Sequence, residues 1–131
     1  MKYFIRSKND TINNSTLCYC NIRCYFNIMN ILIIEDCRFI TFIWKLQAKE
    51  AGHITTCVEF KHEALELLRS NNYDLIILDN NLNGELGVDI AKEIKDITKT
   101  KIILSSADDD LVGNEFIDDV ISKKQLNFKN L

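Results

Sequence analysis

An α/β fold with a parallel sheet is predicted, and three observations carry the prediction. Two runs with apolar centres, Asn30–Ile34 and Asp74–Asp79, read as strands buried on both faces. Stretches of helical period separate these and further short strands, and alternation of this kind puts helices over a parallel sheet. The length of 131 residues allows one domain, and 47% hydrophobic with 27% charged residues is the composition of a packed globular protein.

Residues 1–28 are rich in Asn, Ser, Thr and Lys and show no period of 2.0 or 3.6 residues. They are expected to be an appendage, either disordered or an over-extended start, with Met29 as an alternative first residue and the folded domain over 29–131. The first strand ends at Glu35-Asp36. A helix follows, with Phe39, Phe42, Ile43 and Leu46 expected on its inner face, Trp44 off that face, and Gly52 as the stop signal. Residues 53–58 form a β-branched strand, residues 63–68 a second helix, and Asn71-Asn72 a turn. Asp79 closes the next strand, and Asn83-Gly84 is a turn. A third helix is read over 87–96, with Val88, Ala91 and Ile94, or Ile90 and Ile94, facing inward. Residues 101–106 and Asp119–Ser122 are the last two strands, separated by a loop with Asp108, Asp109 and Asp110. Residues 124–131 are too few for more than about two helical turns.

Charge and composition exclude several functions. Lys2, Arg6, Lys8 and Arg23 against Asp10 give residues 1–28 a charge of +3, so the total of −3 leaves −6 on the rest. An acidic domain repels phosphate backbones, and no nucleic-acid partner is expected. No apolar run approaches the length of a membrane span, and no secretory signal pattern opens the chain, so a cytoplasmic protein without membrane contact is expected. The five cysteines are expected to be reduced, and Cys18, Cys20 and Cys24 lack the second pair that a structural zinc site requires. His53 and His62 have no partner at ligand spacing and are expected at the surface.

In an open parallel sheet the strand ends that lead into helices share one edge, and ligands bind there. That edge receives Glu35 and Asp36, Asp79, Ser106 and Lys123. Crowded carboxylates do not all ionise cheaply without a cation, which implies a hard divalent ion. The bland alternative is that Glu35-Asp36 merely caps the first helix.

These residues resemble the receiver domains of two-component response regulators. The resemblance runs from Met29 to about Lys123, through Ile-Leu-Ile-Ile-Glu35-Asp36, Asp74-Leu-Ile-Ile-Leu-Asp79-Asn-Asn-Leu-Asn-Gly84, Ile-Ile-Leu-Ser-Ser106-Ala107 and Asp118-Asp119-Val-Ile-Ser-Lys123. It implies a doubly wound, flavodoxin-like sheet of five parallel strands in the order 2-1-3-4-5. It implies that Asp79 is the phosphoacceptor, supplied by a histidine kinase, a phosphotransfer protein or a small phosphodonor. Mg2+ would be held by Asp36, Asp79, Glu35 through a water, and the backbone carbonyl of Asn81. Lys123 would offset charge on the transferring group, and Ser106 would bind the new phosphate. The protein would be no enzyme beyond assisting its own phosphorylation and dephosphorylation, and with no output domain its signal would pass to an unidentified downstream protein.

The chain departs from the pattern in places. Asn83 and Lys124 stand where proline is frequent, so the Lys123-Lys124 peptide is expected trans, which bears on the aim of Lys123. Val120 has no ring to swing inward. The interval from Ala107 to Asp118 is too short for a full helix with two loops, and the last helix is cut to a stub. The exposed sheet that results favours a partner or a homodimer, or cover from Tyr19, Ile22, Tyr25, Phe26 and Ile28. The competing reading is a degenerate receiver that binds protein without phosphorylation. A phosphatase-type hydrolase ranks lower, since Asn81 stands where it needs a second acid.

Overall fold

The structure is a computed structural model that describes residues 27–108 and 112–131. The elements run β1 (Asn30–Ile34), α1 (Arg38–Glu50), β2 (Ile54–Val58), α2 (Lys61–Ser70), β3 (Leu75–Asp79), β4 (Asn81–Leu82), β5 (Glu85–Leu86), α3 (Gly87–Lys95), β6 (Ile102–Ser106), β7 (Asp119–Ser122) and a 3-10 turn, Phe128–Asn130. The main sheet has the order β2-β1-β3-β6-β7, parallel throughout. With the β4-β5 hairpin set aside, this is the expected 2-1-3-4-5 order. The hairpin turns on Asn83 and Gly84 with φ of 53° and 87°, the paired positive values that an Asn-Gly turn accommodates.

Alternation along the central strands explains why they are apolar throughout. Ile31, Ile33, Leu75, Ile77 and Ile103 face one layer, where Trp44 and Ala48 of α1 join Leu126 and Phe128. Leu32, Ile34, Ile76, Leu78, Ile102 and Leu104 face the other, under α2 and α3 with Ala64, Leu68, Ile90, Ala91 and Ile94. Either layer alone would leave half of each strand wet.

Helix α1 turns a different face inward from the one its sequence suggests. Phe39, Phe42 and Leu46 are 71%, 62% and 52% exposed, whereas Trp44 and Ala48 are buried with Ile40 and Ile43 beside them. Two apolar stripes of helical period overlap in this segment, and Ile43 belongs to both. The choice falls to the stripe whose Ala48 allows close approach to the sheet and whose Trp44 meets Phe128 edge-on, with centroids 6.3 Å apart.

His53 is buried, not superficial as expected, and binds backbone at both ring nitrogens. Among the described residues no helix lies between β6 and β7, and the chain after β7 holds only the 3-10 turn. The expected exposure of the last strands is nonetheless reduced. Phe116 and Ile117 pack against one layer, and Leu126 and Phe128 enter the other. Of the proposed covering residues only Ile28 is described, half-buried; Tyr19, Ile22, Tyr25, Phe26, Cys18, Cys20, Cys24, Asp109 and Asp110 lie outside the described residues.

Candidate functional site

Parallel register brings the site together. β1 ends level with β3, Ile34 pairing with Leu78, so Glu35 and Asp36 leave the sheet beside Asp79. β6 continues one residue past the Asp79–Ser105 pair to Ser106, which is level with Ser122, and Lys123 follows. Carboxylate oxygens of Glu35, Asp36 and Asp79 all lie within 4.8 Å of one another.

Each side chain is held by a different device. Glu35 is fully buried, and its Oε2 accepts the Cys37 N–H at 3.1 Å. Asp36 Oδ2 accepts the Asn83 N–H at 3.0 Å, and the Asn83 side chain donates to the Glu59 carbonyl at 2.8 Å. Asp79 Oδ1 accepts the Asn81 N–H at 3.2 Å. The helix α1 begins after Cys37, which makes no side-chain cap, and Asp36 is turned to the hairpin instead. Capping therefore does not account for the acidic pair.

Lys123 Nζ lies 2.6 Å from Glu35 Oε1 and 3.1 Å from Asp79 Oδ1, with the ammonium-bearing chain only 16% exposed. No cis peptide occurs among the described residues, so the Lys123-Lys124 bond is trans, as expected, and Lys123 still reaches both acids. Its backbone N–H donates to the Ser106 carbonyl at 2.8 Å, which fixes the start of the side chain. Ser106 is buried, and its Oγ accepts the Asp108 N–H at 3.0 Å, leaving the hydroxyl proton available.

The electrostatics favour a cation. Burial pushes the Glu35 carboxyl up to about 7, against the pull of Lys123 and the Cys37 N–H and with help from the Asp79 charge. Burial also works against the Lys123 ammonium, yet Glu35 and Asp79 hold it above its ordinary value. Glu35 Oε1 has the Lys123 ammonium 2.6 Å away as its charged partner, and Asp79 shares that same ammonium at 3.1 Å. Three carboxylates opposed by one ammonium leave negative charge uncompensated, and a hard divalent cation fits this all-oxygen set.

Two contributors escaped the sequence reading. Asn83, read as a turn residue standing where proline is frequent, ties Asp36 to the hairpin through its backbone N–H, a role the Asn-Gly pair did not reveal. Gly87 donates to the Asn80 carbonyl at 2.7 Å and has no room for a side chain, because a Cβ there would press on the Asp79 carbonyl. That close approach leaves no mark in a single sequence beyond the glycine itself.

A family model described as the response regulator receiver domain matches residues 31–125. The response regulator ArlR of Staphylococcus haemolyticus is 34% identical over 82 residues, which is 62% of this chain and 37% of that protein. The chain thus spans little more than a third of that relative's length. Response regulator protein TrrA from Thermotoga maritima, solved in complex with Mg2+ and BeF, is 33% identical with a TM-score of 0.67 over 79% of this chain and 92% of that one. The complex of histidine kinase ThkA with TrrA contains a chain 30% identical, TM-score 0.65, over 72% of this chain and 85% of its own length. Among the described residues no helix is long and apolar enough to cross a membrane.

Proposed function

The chain belongs to the response regulator receiver domain family, and from that premise we propose that it accepts a phosphoryl group on Asp79 from a histidine kinase or phosphotransfer protein in a Mg2+-dependent phosphorelay. The observation that carries the reading is the convergence of Glu35, Asp36 and Asp79 with Lys123 Nζ set between Glu35 and Asp79. An Asp79 carboxylate oxygen attacks phosphorus, the bond from phosphorus to the donor nitrogen or oxygen breaks, and the donor leaves with the electron pair. Lys123 neutralises charge on the oxygens of the transferring group, and positioning with charge compensation is most of what phosphoryl transfer requires. Ser106 donates its free proton to the phosphate formed.

Glu35, Asp36, Asp79 and the Asn81 carbonyl would hold Mg2+, which when bound supplies further neutralisation of phosphoryl charge. The solved relative TrrA in complex with Mg2+ and BeF supports this choice of ion. Phe39 stands one turn beyond Asp36 on the exposed stripe of α1, so an apolar docking surface adjoins the acids, as suits a protein donor. TrrA's complex with the kinase ThkA supports the kind of partner. The protein has no catalytic activity beyond assisting its own phosphorylation and dephosphorylation.

A degenerate receiver that binds protein unmodified is the second reading, favoured by the lack of a described helix between β6 and β7 and by the bare 3-10 turn at the end. Incubation with Mg2+ and a small acyl phosphate, followed by mass spectrometry, separates the two. One added phosphoryl group that disappears in Asp79→Asn is the expected result. A folded protein that gains none in either form supports the second reading instead.

A further inference from the structure

Receiver chemistry makes no use of His53, yet the ring is buried and fully bonded between α1 and β2. Nδ1 lies 3.1 Å from the Met29 amide nitrogen, and Nε2 lies 2.8 Å from the Phe128 carbonyl oxygen. An amide can only donate and a carbonyl can only accept. The ring is therefore the neutral tautomer with its proton on Nε2. A proton added at Nδ1 would face the Met29 N–H and cost the ring that hydrogen bond.

The bond to Phe128 fastens the segment that follows Lys123. Leu126 and Phe128 are buried against α1, Phe128 meeting Trp44, and Asn27 donates to the Leu131 carbonyl at 3.0 Å. A cavity of about 180 Å³ lies between α1 and this segment and is lined by Trp44, Lys123 and Leu126. The docked segment is thus one wall of the space beside Lys123, which limits the water and freedom available to its side chain.

We propose that His53 is a positioning residue: its neutral ring clamps residues 124–131 against the start of β1, which keeps Lys123 at Asp79, and protonation of the ring opens the clamp. The link to Lys123 rests on the receiver reading of Asp79; the clamp itself does not. The charged groups on the surrounding elements are Arg38, Lys45, Lys49 and Glu50 of α1, Lys124 and Lys129 in the segment after β7, and Asp74 before β3, which accepts the Asn30 N–H at 2.7 Å. The ring's own hydrogen bonds run to the Met29 amide and the Phe128 carbonyl.

Trp44 is the chain's single tryptophan, so its fluorescence reports the segment directly. The test compares the natural chain with His53→Gln, whose amide keeps a donor toward Phe128 but does not titrate, between about pH 8 and about pH 5.5. Circular dichroism confirms that both remain folded. A red shift on acidification in the natural chain, absent in His53→Gln, is the expected result; no shift, or the same shift in both, overturns the clamp. Affinity for Mg2+ with beryllofluoride should weaken through the same transition by about fivefold more than in His53→Gln, the scale of one lost hydrogen bond. A shift with no such difference overturns the positioning of Lys123. No beryllofluoride binding at any pH refutes the receiver reading and with it the role of Lys123, while the fluorescence still decides the clamp.

Discussion

Replacing Gly87 by alanine puts a methyl group where α3 starts against the end of β3. The added carbon would press on the Asp79 carbonyl oxygen, stand 2.6 Å from Leu104 Cδ1 and 3.1 Å from Asn80 Cα. Leu104 can change rotamer, but the other two atoms are backbone, and Gly87 N is itself bonded to the Asn80 carbonyl at 2.7 Å. Relief therefore requires the helix and strand to separate, and overpacking of this kind costs about 1–3 kcal/mol. A domain of this size loses about 4–8 °C of melting temperature per kcal/mol, so a fall on the order of 10 °C is expected by calorimetry. Gly84→Ala is the comparison: nothing lies within 4 Å of its Cβ, and its cost comes from φ of 87° alone, about 1 kcal/mol. Because Gly87 backs the carbonyl of Asp79, Gly87→Ala should also weaken beryllofluoride binding, whereas Gly84→Ala acts mainly on stability. A Gly87→Ala protein as stable as the natural chain would refute the close approach and the reasoning built on it.

Other perturbations test the site and the fold separately. Lys123→Met removes the ammonium between two buried acids and should lower metal-free stability by about 3–5 kcal/mol, with added Mg2+ recovering part of it; a melt unchanged by the substitution would contradict the ion pairs. Asp118 accepts the Ile102 N–H at 2.8 Å and Lys95 Nζ at 3.0 Å, the amide first and then the lysine holding its carboxyl below the ordinary 3.8. A carboxyl depressed in the folded state contributes stability above the unfolded value and loses it as pH falls through the folded one. Asp118→Asn should thus flatten the fall in stability below about pH 4, measured by urea unfolding across pH, and an unchanged slope would count against it. The double variant Phe39→Ser, Phe42→Ser removes only exposed rings and should change stability by under about 0.5 kcal/mol. It should slow phosphorylation by a protein donor while leaving a small acyl phosphate unaffected; equal slowing with both would place the rings at the chemistry rather than at docking.

Much of the fold is legible because the central strands state their surroundings. A run such as Ile31–Ile34 is apolar at every position only where helices cover both faces, and this commits the chain to a layered parallel sheet. Glu35, Asp36, Asp79, Ser106 and Lys123 were likewise readable, since parallel strands must deliver their exits to a common edge. Helix faces were less legible. In α1 the stripe of Phe39, Phe42 and Leu46 has the same period as that of Ile40, Trp44 and Ala48, and periodicity cannot choose between them. His53 gave no signal because both its partners, Met29 and Phe128, are backbone groups, which any residue type supplies.

The sequence by itself determined the order of the elements, the parallel sheet and the acids at its edge, because these follow from local period and from strand direction. Only the tertiary structure decided which side of α1 is wet, how Asn83 and Gly87 shape the surroundings of Asp36 and Asp79, and where the short C-terminal segment goes. Those outcomes depend on close contacts between residues far apart in the chain, such as Trp44 with Phe128 and Gly87 with the Asp79 carbonyl. Packing at that range is set by which surfaces meet after the sheet has formed, and no local pattern encodes it.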